Sequence, residues 1–279
     1  MNPLVTPSWL ADRLRDPNIV IVDATLPPVG VTPPVDTRAR YVERHIPGTV
    51  FFDIDELSDH TTTLPHMLPG EEEFARSMGA LGIRDSATLV VYEQNAVFSA
   101  PRAWWMLRVF GAEDVRLLDG GLQAWIEAGL PTDSGPVARL ESSFHAKLDR
   151  SAIADFSEIH RAIQSKTQIL DARSSGRFTG SAPEPRPRIS SGHMPGSISM
   201  PFPELDEQGH LLPQEKLRAA FQAKGVDLDR PVITTCGSGV TAAVLALGLE
   251  IAGARSVRLY DGSWAEYAQR PEAIIEKSE

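Results

Sequence analysis

Short apolar runs alternate along the chain with longer segments in which apolar and polar positions recur at helical spacing. In the first half, strand-like runs occupy 19–22, 87–92 and 115–118, and helical segments occupy 7–15, 71–81, 100–110 and 122–128. The second half repeats this order, and the run 232–235 leads into an alanine- and leucine-rich segment. Short, fully apolar strands alternating with helices predict an α/β fold, with mainly parallel sheets covered by helices on both faces.

The chain also repeats its own motifs. Three blocks recur in the same order: NIVIVDA (18–24) with TQILDA (167–172), RHIPGTVFFDIDELSD (44–59) with GHMPGSISMPFPELDE (192–207), and GAEDVRLLDGG (111–121) with GARSVRLYDGS (253–263). Such matches predict two copies of one domain. We therefore expect an N-terminal domain at 1–136, a polar surface linker at 137–152 and a C-terminal domain at 153–279.

Charge and composition narrow the classes of function. The net charge of -10 argues against a nucleic-acid binder and against a protein held on anionic membranes, because both need a basic surface. A single cysteine excludes an intramolecular disulfide and fits a reducing compartment. The N-terminal residues lack the pattern of a secretory signal, and no apolar run has the length of a membrane span. A cytoplasmic location, with no nucleic-acid or membrane partner, is expected.

The lone cysteine, Cys236, lies in the stretch VITTCGSGVTAAVLALGLE (232–250). An apolar strand precedes it, a glycine-rich turn follows, and a helix-forming segment comes next. Glycines let successive backbone N–H groups point inward, and the positive end of a helix favours the thiolate, which is the nucleophile. A lone cysteine is more often a buried spectator, but this context favours a nucleophile in an anion-binding loop. The loop has neither the lysine of a phosphate-binding loop nor the distal arginine of a cysteine-dependent phosphatase.

These features, together with HIPG/HMPG, SAPRAWWMLRVFG, LLDGG and YDGSW, are similar to those of the tandem-domain rhodanese family, and the resemblance covers essentially the whole chain. It implies two rhodanese-like domains and sulfur transfer through a persulfide on Cys236. The segment CGSGVT resembles in particular the branch that uses 3-mercaptopyruvate. A neutral Gly-Ser-Gly agrees with that branch, because a dianion such as thiosulfate would favour basic residues beside the cysteine.

The resemblance also implies roles for single residues. The loop backbone would bind the anion through Gly237, Gly239, Val240 and Thr241. The hydroxyl of Ser238 would handle a proton together with two residues of the N-terminal domain, His66 and Asp55. Two arginines would bind the carboxylate and keto group of the donor, since the planar guanidinium matches a carboxylate: Arg177 and Arg186.

Taken without the resemblance, several of these residues have simpler interpretations. Asp55 would be a turn residue or helix cap, His66 a surface histidine, and the segment SAPEPRPR (181–188) a solvated loop. His45 and His193 occur in both copies, only one of which has the cysteine, so a structural role is expected for them. Four tryptophans on predicted helices are expected in the core: Trp104, Trp105, Trp125 and Trp264.

The first copy has no cysteine, and its matching loop reads YEQNAVFS (92–99), with Glu93 or Gln94 at the cysteine position. An acidic residue cannot attack sulfur and would repel an anion, so this domain is expected to be catalytically silent. The pair Asp53 and Asp55 lacks the glycine and distal glutamate of a calcium loop. Neither a metal nor an organic cofactor is predicted.

The expected acceptor of the sulfur is external. Ala243 stands where relatives of this branch often have a second cysteine, so the chain cannot discharge its persulfide through an intramolecular disulfide. We expect a monomeric enzyme that releases pyruvate and passes sulfur to thioredoxin, a small thiol or cyanide. Two alternatives stay open: a thiosulfate:cyanide sulfurtransferase, and a non-catalytic sulfur carrier or sensor.

Overall fold

The computed structural model describes residues 2–28, 30–31, 33–95 and 97–278. The chain divides into two compact units. The first consists of residues 1–59, 68–149 and 208–211, and the second of residues 60–67, 150–207 and 212–279. Two short segments depart from the order of the sequence: residues 60–67 belong to the second unit, and residues 208–211 belong to the first.

The first unit is an α/β domain built on a five-stranded parallel sheet. Its strands and helices follow one another as β1 (Leu4–Val5), α1 (Pro7–Ala11), β2 (Ile19–Asp23), α2 (Thr37–Glu43), β3 (Val50–Phe51), α3 (Glu71–Ala80), β4 (Thr88–Tyr92), α4 (Ala100–Val109), β5 (Asp114–Leu118) and α5 (Gly121–Glu127). The strand order is β1-β5-β4-β2-β3, and every neighbouring pair is parallel. Parallel neighbours need crossover connections, and the helices between the strands supply them.

The second unit repeats this arrangement. Its elements are β6 (Ile153–Ala154), α6 (Phe156–Ser165), β7 (Gln168–Asp171), α7 (Ser175–Thr179), β8 (Ile198–Ser199), β9 (Asp206–Glu207), α8 (Gln214–Ala223), β11 (Val232–Thr235), α9 (Ala242–Ala252), β12 (Val257–Tyr260) and α10 (Ser263–Tyr267); strand β10 (His210–Leu211) belongs to the first unit. The sheet order β6-β12-β11-β7-β8 corresponds strand by strand to the first sheet, again with parallel pairs. The predicted α/β class with two repeated domains is confirmed.

Local sequence explains where the helices begin. Thr6 accepts a hydrogen bond from the N–H of Trp9 at 3.2 Å, and Pro7 occupies the first helical position, where its missing N–H costs nothing. Asp155 and Glu158 form a reciprocal capping box at the start of α6. The long predicted strands and helices of the first half lie within about two residues of their observed bounds, except that α1 ends at Ala11 rather than Arg15.

Each unit has its own core beneath the sheet. Trp125 anchors the first cluster and Trp264 the second. All four tryptophans expected in the core are buried. The strands are buried on both faces, as the fully apolar runs predicted. Within the described part of the chain, no helix is both long and apolar enough to cross a bilayer.

The segment 137–149, expected as a surface linker, packs on the first unit. The Ser142 N–H donates to the Gly79 carbonyl at 3.0 Å, and the Lys147 N–H donates to the Phe110 carbonyl at 2.9 Å. The Phe144 ring is only 5% exposed and meets Phe74 edge-on, with ring centroids 5.6 Å apart. The polar sequence of the segment gave no sign of this packing, because Phe144 is its one aromatic residue.

If this segment is part of the first core, Phe144→Ala should lower the free energy of unfolding by about 3–5 kcal/mol, the usual cost of removing a buried phenyl ring. The matched control is Leu140→Ala in the same segment, because Leu140 is 93% exposed. That control should stay within about 0.5 kcal/mol of the parent. Urea titration followed by tryptophan fluorescence measures both, and equal effects of the two substitutions would contradict the packing role.

Candidate active site

Cys236 follows the central strand of the second sheet. Strand β11 pairs in parallel with both β7 and β12, so the residue after it lies at the carboxyl edge, where ligands bind in such sheets. The side chain is 2% exposed. The loop from Gly237 to Thr241 then leads into α9, and Gly239 has a φ of 79°, which favours glycine. The predicted sequence of strand, cysteine, turn and helix is therefore present.

The loop is held in place by the hydroxyl of Ser263. Its Oγ accepts hydrogen bonds from the backbone N–H groups of Cys236 at 3.2 Å and Gly239 at 3.0 Å, and donates to the Tyr260 carbonyl at 2.8 Å. Ser263 is buried and has a φ of 48°, an uncommon value for a residue other than glycine. Such conformations persist where the surrounding structure enforces them. Ser263 thus positions the cysteine loop.

Four further N–H groups of the loop are available to an anion. In the part of the chain that the structure describes, the N–H groups of Gly237, Ser238, Val240 and Thr241 make no hydrogen bond. Buried backbone N–H groups are otherwise almost always paired. Successive unpaired donors at the start of a helix form a concave site for negative charge.

The equivalent position in the first unit is occupied by Glu93. It follows β4 as Cys236 follows β11, and its carbonyl accepts the Leu122 N–H at 3.0 Å, as the Cys236 carbonyl accepts the Trp264 N–H at 2.9 Å. Gly121, with a φ of 55°, takes the place of Ser263. The Gln94 side chain instead donates to Asp23 Oδ2 at 2.8 Å. Of the two candidates that the sequence left open, Glu93 is the counterpart of the cysteine.

The Glu93 carboxylate fills the loop that follows it. It accepts hydrogen bonds from the N–H groups of Phe98 (2.8 Å), Ser99 (2.9 Å) and Ala100 (3.1 Å), and from the Ser99 hydroxyl at 3.0 Å. Burial raises the pKa of this carboxyl from 4.5 to about 7, although the hydrogen bonds oppose the shift. In this fold, the loop after the central strand therefore directs backbone N–H groups at a carboxyl side chain.

Ser238 contacts the histidine that the sequence assigned to it. Ser238 Oγ and His66 Nδ1 are 2.9 Å apart, and the tautomer of the ring decides which of them donates. His66 has a φ of 60° and lies in the segment 60–67, which belongs to the second unit rather than to the N-terminal domain. Asp55 lies in the first unit, where its carbonyl accepts the Ser58 N–H at 3.2 Å. Its part in the site stays a prediction.

Both predicted arginines approach the loop at Gly237. A Cβ atom on Gly237 would lie 2.7 Å from Arg177 Nη2 and 3.6 Å from Arg186 Nη1. A side chain at position 237 would therefore displace the end of Arg177. The structure brings together Cys236, Ser238, His66, Arg177 and Arg186, because all five contact or belong to the same short loop.

Two residues that contact the cysteine loop or its arginines lie outside the set predicted from the sequence: Ser263 and Glu184. Ser263 belongs to the YDGSW motif, and the signal in the sequence is its alignment with Gly121, because a serine that replaces a glycine at a turn needs a structural reason. Glu184 lies in the proline-rich segment 181–188, for which composition predicts a solvated loop. Its side chain is in fact 3% exposed and forms ion pairs with Arg173 and Arg177.

The two repeated histidines serve the fold. His45 Nδ1 lies 2.8 Å from the Tyr41 carbonyl and the imidazole stacks on the Tyr41 ring. His193 Nδ1 lies 3.0 Å from the Phe178 carbonyl and stacks on Phe178 in the same way. Each also forms a backbone bridge to a later segment, with Asp133 and Glu276 respectively. These contacts are those of a structural residue.

Two α/β units of identical strand order, one with a loop cysteine and the other with a carboxyl group in its place, define a duplicated α/β protein with a single cysteine. Residues 6–128 and 155–270 both match the family model of the rhodanese-like domain. The chain belongs to the rhodanese family.

Known proteins resemble the chain over nearly its full length. It is 44% identical to 3-mercaptopyruvate sulfurtransferase of Escherichia coli K12, over 96% of this chain and 95% of that protein. It is 42% identical to thiosulfate sulfurtransferase of Cricetulus griseus, over 95% and 91%. Among solved structures, SseA from Escherichia coli, described as a 3-mercaptopyruvate sulfotransferase, superposes with a TM-score of 0.88 at 41% identity, covering 95% of this chain and all of that one.

The buried Glu93 predicts a pH-dependent stability of the first unit. A carboxyl whose pKa is raised on folding adds stability in full below about pH 4.5, and loses it as pH rises through about 7. Between pH 5 and 8, the unfolding free energy of the parent should fall relative to that of Glu93→Gln, by up to about 3 kcal/mol. Denaturant titrations across this range measure the difference.

Glu72→Gln is the control for this experiment, because Glu72 is an exposed carboxylate on α3 and its loss subtracts the general effect of removing one negative charge. A difference between Glu93→Gln and the parent that stays constant with pH would show that Glu93 does not titrate on unfolding.

Proposed function

We propose that this protein is a sulfurtransferase that takes sulfur from 3-mercaptopyruvate as a persulfide on Cys236 and passes it to a thiol or to cyanide. The observation that carries the proposal is the comparison of the two central loops. In the first unit the loop holds a carboxylate through backbone N–H groups, and in the second the equivalent side chain is the only thiol of the chain. The same donors suit a thiolate or persulfide anion.

The first step loads sulfur onto the enzyme. The Cys236 thiolate attacks the sulfur of 3-mercaptopyruvate, an S–S bond forms, and the C–S bond breaks with its electron pair going to carbon. Pyruvate leaves as its enolate and is then protonated. Arg177 and Arg186, beside Gly237, are placed to bind the carboxylate and the keto oxygen of the donor. This is covalent catalysis, for which ping-pong kinetics are expected.

The Ser238–His66 pair is the proposed route for the proton. Ser238 is two residues from the nucleophile, and its hydroxyl lies 2.9 Å from His66 Nδ1. A histidine in this position can exchange a proton through the hydroxyl with the donor thiol or the enolate. The third residue predicted for this proton route is Asp55, whose carboxylate would orient the His66 ring. Asp55→Asn tests it, since removal of the negative charge should lower kcat with 3-mercaptopyruvate.

The second step returns the enzyme to its thiol form. A nucleophilic acceptor attacks the outer sulfur and the Cys236 thiolate leaves. Because Cys236 has no second cysteine to pair with, the acceptor is external, and thioredoxin, a small thiol or cyanide fits this chemistry. The single cysteine supports a reducing, cytoplasmic location. The net negative charge supports a monomeric state.

Thiosulfate is the second candidate donor. The chain's 42% identity to a thiosulfate sulfurtransferase nearly equals its identity to the mercaptopyruvate enzyme, so overall similarity does not separate the two. The loop Gly237-Ser238-Gly239 carries no basic side chain, which favours the donor whose charge lies on a carboxylate away from the sulfur. Pyruvate and thiocyanate formation with each donor, on one sample and with cyanide as acceptor, gives the ratio.

Cys236→Ser should abolish pyruvate release from 3-mercaptopyruvate, because no other thiol can take up the sulfur. Mass spectrometry of the parent after donor addition should show an adduct of about 32 Da, one sulfur atom, that disappears when a thiol is added. Retained pyruvate formation in Cys236→Ser would contradict the mechanism. An adduct that persists in excess thiol would identify a sulfur carrier instead of an enzyme.

Ser238→Ala and His66→Gln should each lower kcat with 3-mercaptopyruvate by about 10²-fold, the usual contribution of general acid–base catalysis. The double variant should be no slower than either single variant, because the two residues act as one unit. His160→Gln, an exposed histidine on α6, is the matched control and should retain the parent rate. Independent, multiplying losses in the double variant would mean that the pair does not share one proton route.

A further inference from the structure

Glu184 is a buried carboxylate shared by two arginines. Its Oε1 accepts a hydrogen bond from Arg173 Nη1 at 2.7 Å, and its Oε2 accepts from Arg177 Nη2 at 2.6 Å and from Arg177 Nε at 3.1 Å. Only 3% of its side chain is exposed. The mechanism above uses Arg177 but gives no part to Glu184.

Arg173 is the fixed end of this network. Its guanidinium is fully buried, pairs with both carboxylate oxygens of Asp171, and donates to the Gly192 carbonyl at 2.7 Å. It also lies over the Trp264 ring, 4.1 Å from the ring centroid. With no exposed surface, Arg173 is not placed to touch a donor molecule. It holds Glu184 in one position.

Arg177 is the end that reaches the loop. Its side chain is 23% exposed, and Nη2 would lie 2.7 Å from a Cβ on Gly237, the residue after the nucleophile. Glu184 binds the Nε and Nη2 edge of this guanidinium, and the Nη2 atom that it holds is also the one nearest Gly237, so the orientation of Arg177 beside the loop is fixed. A planar fork held at one edge keeps the other donors in a fixed direction.

The network is also electrically balanced. Asp171 and Glu184 supply two negative charges, and Arg173 and Arg177 supply two positive charges. Arg177 therefore presents hydrogen-bond donors to the loop while Glu184 offsets much of its charge. A donor with two negative charges gains more from an unbalanced cation than a donor with one, because the interaction scales with the product of the charges.

We propose that Glu184 is a positioning residue that sets donor selectivity. Its carboxylate orients Arg177 towards the cysteine loop and offsets the arginine charge, so that the site prefers a monocarboxylate donor over a dianionic one. The inference rests on the proposed function, because it takes Arg177 as the residue that meets the donor.

Glu184→Gln removes the charge and keeps the size of the side chain; its amide oxygen can accept from one arginine, whereas its amide nitrogen cannot accept from the other. The ratio of kcat/KM for thiosulfate to kcat/KM for 3-mercaptopyruvate, with cyanide as acceptor, should rise about tenfold. Glu184→Asp keeps the charge and shortens the reach. It should lower kcat/KM for both donors yet leave their ratio within about twofold of the parent.

A purely structural role would lower both activities without changing their ratio, and that result for Glu184→Gln would overturn the proposal. So would a changed ratio in Glu184→Asp, which keeps the proposal testable even if Glu184→Gln does not fold. An inactive parent would refute the proposed function instead, and this outcome is separate from the other two.

Alkylation of Cys236 measures the same charge without turnover. Because the chain has one cysteine, iodoacetate and iodoacetamide report on this residue alone. The rate ratio of the anionic to the neutral reagent should rise about fivefold in Glu184→Gln and stay near the parent value in Glu184→Asp. An unchanged ratio of the two alkylation rates in Glu184→Gln would contradict the electrostatic role, even if the enzyme assays detected no activity in this variant.

Discussion

The active loop depends on one hydroxyl group. Ser263 Oγ accepts the N–H groups of Cys236 and Gly239 and donates to the Tyr260 carbonyl, so it ties the loop after β11 to the end of β12. Each hydrogen bond contributes only about 1 kcal/mol net, but a buried N–H left without a partner would cost more. The unusual φ of Ser263 is the conformational cost of this arrangement. The remaining N–H groups of the loop keep their direction because these two are fixed.

The two units show what a single side chain changes within one fold. The two units have the same strand order. In both, the carbonyl of the residue after the central strand accepts an N–H from the start of the last helix, Leu122 in the first unit and Trp264 in the second. The Glu93 carboxyl accepts from three backbone N–H groups of its own loop, whereas four N–H groups of the Cys236 loop make no hydrogen bond within the described part of the chain. The units therefore share one backbone scaffold. They differ in whether a side chain of the chain itself occupies the N–H groups of the loop after the central strand.

Much of the fold could be predicted from the sequence, because buried parallel strands leave short apolar runs and duplicated domains leave repeated motifs. The strand at 232–235 and the helix from Ala242 were found within one residue. Short elements such as β1, β3 and α2 were missed, since two-residue strands carry no periodic signal. The packing of Phe144 on Phe74 was hidden for a similar reason, because a single ring in a polar segment has no pattern.

A motif in the sequence indicates which residues lie near the cysteine loop, whereas the burial of a single polar side chain leaves no such signal. Cys236 and the arginines lie in recognisable motifs, and their approach to Gly237 agrees with the predicted roles. Glu184 lies between prolines in a segment that composition assigns to solvent, and only the three-dimensional position of Arg173 makes it a buried ion-pair partner. The predicted boundary also placed His66 with the first domain, whereas its segment packs with the second unit.

Glu93 also has a consequence for sulfur stoichiometry. With the first loop closed by its own carboxylate, a chain that works as proposed stores one transferable sulfur atom and no reserve. A second donor molecule can react only after an acceptor has emptied Cys236. Acceptor supply, rather than donor supply, then governs how much 3-mercaptopyruvate is consumed whenever the persulfide form predominates.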